Sequence, residues 1–103
     1  MMKPLLYFLQ ERGFACENCG SYHAEFNILE RHHCIVKRSK KRPDFDEDIN
    51  IELLCRSCHA SGIMDSFEHR QEFAMRQCNR GYDVKAWYQS LGLKAPEKWI
   101  EEL

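Results

Sequence analysis

The sequence predicts a small α+β domain organised around a four-cysteine zinc site, with helices before and after it. Three observations predict this. Two Cys-x2-Cys pairs, Cys16/Cys19 and Cys55/Cys58, are separated by 35 residues. Short β-prone runs lie between them. Helix caps and glycine stops bracket the segments on either side. The chain has 103 residues, the length of one domain. We divide residues 1–103 into an N-terminal helix (1–13), a zinc-braced core (14–64) and a C-terminal helical extension (65–103). A domain of this size buries only roughly two thirds of the surface its unfolded chain exposes, so a metal staple would add stability that the apolar core lacks.

The elements follow in chain order. Pro4 to Gln10 is apolar with proline in its first turn, and Gly13 can end it, which predicts a helix. Phe14 to Tyr22 carries the first cysteine pair, with Gly20 placed for a tight turn. Phe26 to His33 is rich in β-prone residues and predicts a strand. Lys37 to Asp48 predicts a loop: five of the six residues 37–42 are basic, Pro43 follows, and then come Asp44, Asp46, Glu47 and Asp48. Ile49 to Leu54 predicts a second strand. Ser66 is a fitting N-cap for a helix to Arg80, with Gly81 beyond its end. Asp83 can cap a further helix to Leu91, closed by Gly92, and Pro96 can start a short helical turn to Leu103.

Composition excludes several classes. Charged residues make up 30% and aromatics 12%, which disfavours both a membrane protein and a disordered chain. The first twelve residues hold an apolar run of only five, shorter than the ~7–15 of a secretory signal. The expected setting is therefore the cytoplasm, where paired cysteines point to metal rather than to disulfides. The net charge of −1 conceals an imbalance. Residues 1–42 carry eight basic and four acidic groups, and residues 43–103 carry seven and twelve.

Each Cys-x2-Cys knuckle lets two thiolates approach one ion while backbone N–H groups face the sulfurs. Two such knuckles supply the closed tetrahedral ligand set of structural Zn2+, here Cys16, Cys19, Cys55 and Cys58. The competing readings are two reduced, packed pairs or two disulfides.

Between and after the knuckles lie Glu30-Arg31-His32-His33-Cys34-Ile35-Val36 and Asn50-Ile51-Glu52-Leu53-Leu54-Cys55-Arg56-Ser57-Cys58-His59. This ordered set, a His pair, then Asn, then Cys-x2-Cys-His, resembles the His-Asn-His (HNH) endonuclease family in its four-cysteine, zinc-braced form. The resemblance covers about residues 14–64. It implies a ββα-metal (His-Me finger) core around one catalytic divalent ion. Position by position, it implies that His33 is the general base and that His32 and His59 are ligands of the catalytic ion. Asn50 would secure the connecting loop and orient the base. The small stand-alone form is similar to bacteriophage or prophage proteins, which implies a bacterial or phage-infected cell and a setting beside DNA-packaging partners.

The chemistry agrees with those roles. Phosphodiester hydrolysis needs an activated water and neutralised phosphoryl oxygens. A neutral imidazole accepts a proton near pH 7. Two protein ligands leave open positions for water and phosphate. Imidazole ligands suit Mn2+, Ni2+ or Zn2+ better than Mg2+, which prefers oxygen. One geometric condition applies: neighbouring residues of a regular strand point to opposite faces, so His32 and His33 share a site only where the strand ends or twists.

Lys37, Arg38, Lys40, Lys41 and Arg42 are the expected contacts to the phosphates of double-stranded DNA. No residue is marked as a reader of base edges, so weak sequence preference is expected. Asp44 to Asp48 balances or pairs with this basic loop. Cys34 is expected to pack, and Cys78 and His69 to lie on the surface or in the core of their helix. Phe67, Phe73, Tyr82, Trp87, Tyr88 and Trp99 are expected to form the C-terminal core. The leading expectation is a metal-dependent DNA endonuclease that nicks as a monomer and breaks both strands only as a homodimer or with a partner nuclease. The alternatives are a non-catalytic zinc-ribbon module that binds DNA or protein, and a reducible cysteine-rich scaffold.

Overall fold

Pro4, with φ fixed at −67°, stands at the N-cap of the first helix, α1 (Leu5–Arg12), and Gly13 ends it at φ 96°. That conformation is open to glycine and disfavoured for residues with a Cβ. The computed structural model describes residues 2–103. After the first knuckle the chain forms β1 (Glu30–His33), crosses the basic loop, and returns through 3-10 turns at Pro43–Asp46 and Asp48–Asn50. It then forms β2 (Ile51–Leu54), α2 (Arg56–Ala60), α3 (Phe67–Asn79) and α4 (Val84–Ser90), and closes with a 3-10 segment at Lys98–Glu102.

β1 and β2 pair antiparallel, with Glu30 opposite Leu54, Arg31 opposite Leu53, His32 opposite Glu52 and His33 opposite Ile51. The period of two places Arg31, His33, Ile51 and Leu53 on one face and Glu30, His32, Glu52 and Leu54 on the other. A lone hairpin is marginal in water, and here its flanks are secured. The outer edge of β2 is closed by Glu17 of the first knuckle: its N–H donates to Leu53 O at 2.8 Å, and its carboxylate accepts from Leu53 N–H at 2.6 Å.

Two apolar clusters hold the rest. Phe8, Leu9, Leu29, Ile51, Leu53, Leu54 and Met64 surround the knuckle end, together with Cys16 and Cys55. Ile35, Val36, Phe45 and Ile49 pack with Phe73, Ala74, Val84, Tyr88, Leu91 and Ile100 of the C-terminal elements. The expected aromatic core is therefore partial: Phe73 and Tyr88 are buried, while Phe67 is half exposed and meets Trp99 edge-on at 5.8 Å. The caps match expectation. Ser66 accepts from His69 N–H at 3.2 Å, and Asp83 accepts from Ala86 N–H at 3.0 Å.

Both strands are shorter than their β-prone runs. Ala24 and Asn27 exchange backbone hydrogen bonds of 3.2 and 3.0 Å, so the chain turns at residues 24–27 and leaves Phe26 exposed. Asp48–Asn50 is a 3-10 turn rather than the start of β2. Among the described residues, no helix is long and apolar enough to cross a membrane.

Candidate functional site

The sulfurs of Cys16, Cys19, Cys55 and Cys58 lie within 4.8 Å of one another, and none of the six cysteines is disulfide-bonded. Sulfurs about 2.3 Å from one zinc ion in tetrahedral geometry lie about 3.8 Å apart; Cys19 Sγ and Cys55 Sγ are 3.7 Å apart. The two knuckles repeat one design. Cys19 N–H donates to Cys16 Sγ and Cys58 N–H to Cys55 Sγ, each at 3.5 Å. Gly20 N–H and His59 N–H reach the carbonyls of Cys16 and Cys55 at 2.9 Å. Asn18 Nδ2 adds a donor to Cys58 Sγ at 3.3 Å, and the Ser21 hydroxyl lowers the Cys19 thiol to about 6. Oriented N–H donors favour the thiolate form that binds metal. The four cysteines fit a structural metal such as Zn2+.

Cys55 is also the N-cap of α2, so the second knuckle sets the direction of the helix that carries His59. That ring packs edge-on against His32, with centroids 4.9 Å apart. The nitrogens are differentiated. His59 Nδ1 lies 2.9 Å from Glu30 Oε1, which leaves Nε2 free, the arrangement common to metal-bound imidazoles. His32 Nε2 is buried with no hydrogen-bond partner; Asp65 Oδ1 is 3.7 Å away. Burial, then the neighbouring His59, pushes the His32 imidazole down to about 4, so at neutral pH it is the uncharged form that binds cations.

His33 takes the opposite face of β1. Its Nε2 lies 2.8 Å from Asp46 Oδ1, within the acidic run that follows the basic loop. The structure thus brings His32 and His59 together and seats His33 across the strand from them. Both β1 histidines are buried, at 7% and 8% exposure. Among the described residues, β1 pairs with no strand but β2.

Asn50 is fully buried and uses its whole hydrogen-bonding capacity. Its Oδ1 accepts from Ile35 N–H at 2.8 Å and Val36 N–H at 2.9 Å. Its Nδ2 donates to Val36 O at 2.9 Å and Phe45 O at 2.8 Å. It therefore ties the end of β1 to the turn that carries Asp46.

The basic loop divides. Lys37, Arg38, Lys40 and Lys41 are exposed and form no ion pair among the described residues. Arg42 makes a two-point pair with Asp44 at 3.0 and 2.7 Å and donates to Leu91 O at 2.6 Å. It also stacks over Phe45 at 4.5 Å, which fixes the loop to the C-terminal half.

Several residues gain roles that their sequence positions do not signal. Glu30 partners His59 and Asp46 partners His33. Glu52 is fully buried, and His69 Nε2 donates to it at 2.7 and 2.8 Å. Glu17 gathers Arg12, Arg76 and Arg80. A His beside Glu or Asp across two elements leaves no fixed spacing to find; the one available signal is a carboxylate, Glu52, set within an otherwise apolar strand. No family model, curated protein or solved structure matches this chain, so the reading of the site rests on its own residues.

Proposed function

We propose that this chain is a metal-dependent DNA endonuclease of the HNH type, with β1, β2 and α2 as a ββα-metal core. The observation that carries the reading is the pairing of His59, whose Nε2 is left free by Glu30, with His32, whose Nε2 is buried and unpartnered. These two nitrogens, on rings whose centroids are 4.9 Å apart, would form a seat for a divalent cation such as Mn2+, Ni2+, Mg2+ or Zn2+. A cation held there would neutralise charge on a phosphodiester and stabilise the leaving oxygen.

The chain's own groups supply the rest. Asp46 on Nε2 fixes the His33 ring and leaves Nδ1 to take a proton from water. A phosphodiester lying along the edge of β1 that no strand pairs would have His32 on one side and His33 on the other. Asn50 holds the segment that presents Asp46. Lys37, Arg38, Lys40 and Lys41 give a sequence-independent contact to the DNA backbone. A second reading, a zinc-ribbon module that binds DNA without cutting it, draws support from the burial of both β1 histidines.

The test uses protein carrying only its tightly held zinc, supercoiled plasmid, and Mn2+, Ni2+, Mg2+ or Zn2+ added singly. The nuclease reading expects open circles from wild type and none from His59→Ala. Salt-sensitive plasmid binding without cleavage under every ion would replace it with the binding module.

A further inference from the structure

We infer that His32, Cys34 and Glu52 form an inner seat for one divalent cation of the Zn2+ or Co2+ type, separate from the four-cysteine site. The three residues share one face: His32 and Cys34 are two apart along the chain, and Glu52 is the cross-strand partner of His32. Their ligand atoms lie within 4.8 Å of one another and all three residues are buried.

Ordinary packing satisfies part of this cluster and leaves a remainder. Glu52 accepts from His69, and Arg76 Nη1 lies 3.4 Å from it. The Cys34 sulfur lies within 4.8 Å of the same carboxylate. His32 Nε2 has no hydrogen-bond partner, and Asp65 Oδ1 stands 3.7 Å from it. An orphaned imidazole nitrogen in a buried polar cluster carries a desolvation cost that an ion would remove. The donor set also matches the charge of a divalent ion. His32 binds as the neutral ring, Cys34 as the thiolate after its proton passes to solvent, and Glu52 as the carboxylate, so two negative charges meet two positive ones. A mixed nitrogen, sulfur and oxygen set selects zinc-like ions over Mg2+. His69, bonded to Glu52, serves as the outer partner that orients a ligating carboxylate.

The inference rests on the proposed function only in sharing His32 as an ion ligand. Both places draw on the same His32 ring, so replacing His59 separates them.

The test removes the outer seat first. Full-length His59→Ala protein, with zinc in its four cysteines, is titrated with Co2+ and read by thiolate-to-cobalt absorption and by metal content. The expected result is one cobalt per chain with a single-thiolate absorption. The same titration of His59→Ala/Cys34→Ala should show no such absorption. His59→Ala/Glu52→Gln, which keeps the shape and leaves one oxygen to accept from His69, should bind cobalt about tenfold more weakly or worse. Absence of the absorption in His59→Ala, or its persistence after Cys34 is replaced, would overturn the inner seat. Plasmid cleavage is not read, so failure here leaves the nuclease reading standing and failure of cleavage leaves this one standing.

Discussion

Asn50 shows how much one buried side chain determines. Its amide makes four hydrogen bonds that join Ile35, Val36 and Phe45. Asn50→Ala strands two buried N–H groups and two carbonyls, each costing about 1–3 kcal/mol. We expect zinc-loaded Asn50→Ala to lose at least about 3 kcal/mol of stability by urea unfolding. Asn50→Asp should be no better, because it turns a carboxylate oxygen toward the carbonyls of Val36 and Phe45. A midpoint within experimental error of wild type would show that the clamp is dispensable. The resemblance to a known motif marks Asn50 in the sequence, yet nothing in the sequence specifies its four partners. Glu52 is less legible still. A lone carboxylate in a strand reads as solvent-facing, and its burial depends on His69, 17 positions later on a different element.

At the scale of elements, stability divides between caps and metal. Ser66 caps α3 through the His69 amide, so Ser66→Ala should cost about 1 kcal/mol, read as a lowered denaturation midpoint with the fold intact. Cys55 does three things at once: it offers a thiolate to the metal, caps α2, and packs in the core beside Leu53 and Leu54. Cys55→Ala should therefore lose zinc and cooperative unfolding together; a zinc-free variant that still unfolds cooperatively would remove the metal from the folding account. The helices were readable because their signals are local: Pro4, Ser66 and Asp83 at starts, Gly13 and Gly81 at ends. The strands were readable only in part. β-branched and aromatic residues at 26–29 resemble a strand, but the hydrogen bonds between Ala24 and Asn27 turn the chain there. α2 has five residues, too few for any periodicity, and it exists because the knuckle aims the chain.

For the whole molecule, the near-zero net charge conceals a divided surface. The cations 37, 38, 40 and 41 stay exposed and unpaired, while Arg42 is spent on Asp44 and Leu91. Replacing the four exposed cations with alanine should lower the slope of log binding constant against log salt by about 3–4 for duplex DNA, with the fold unchanged. Arg42→Ala should leave that slope unchanged and lower stability instead. An Arg42 effect on the slope equal to that of its neighbours would return it to the DNA-facing set. Composition exposes the basic run, but only the folded chain separates the cation that holds the loop from those left for a polyanion.

The central claim is that His33, held by Asp46, takes the proton from the attacking water. Its most direct measurement is the single-turnover nicking rate of supercoiled plasmid by His33→Ala beside wild type, with Mn2+ and at equal bound zinc. The account predicts that wild type produces open circles and that His33→Ala is slower by about 10²–10⁴. Equal rates would contradict it.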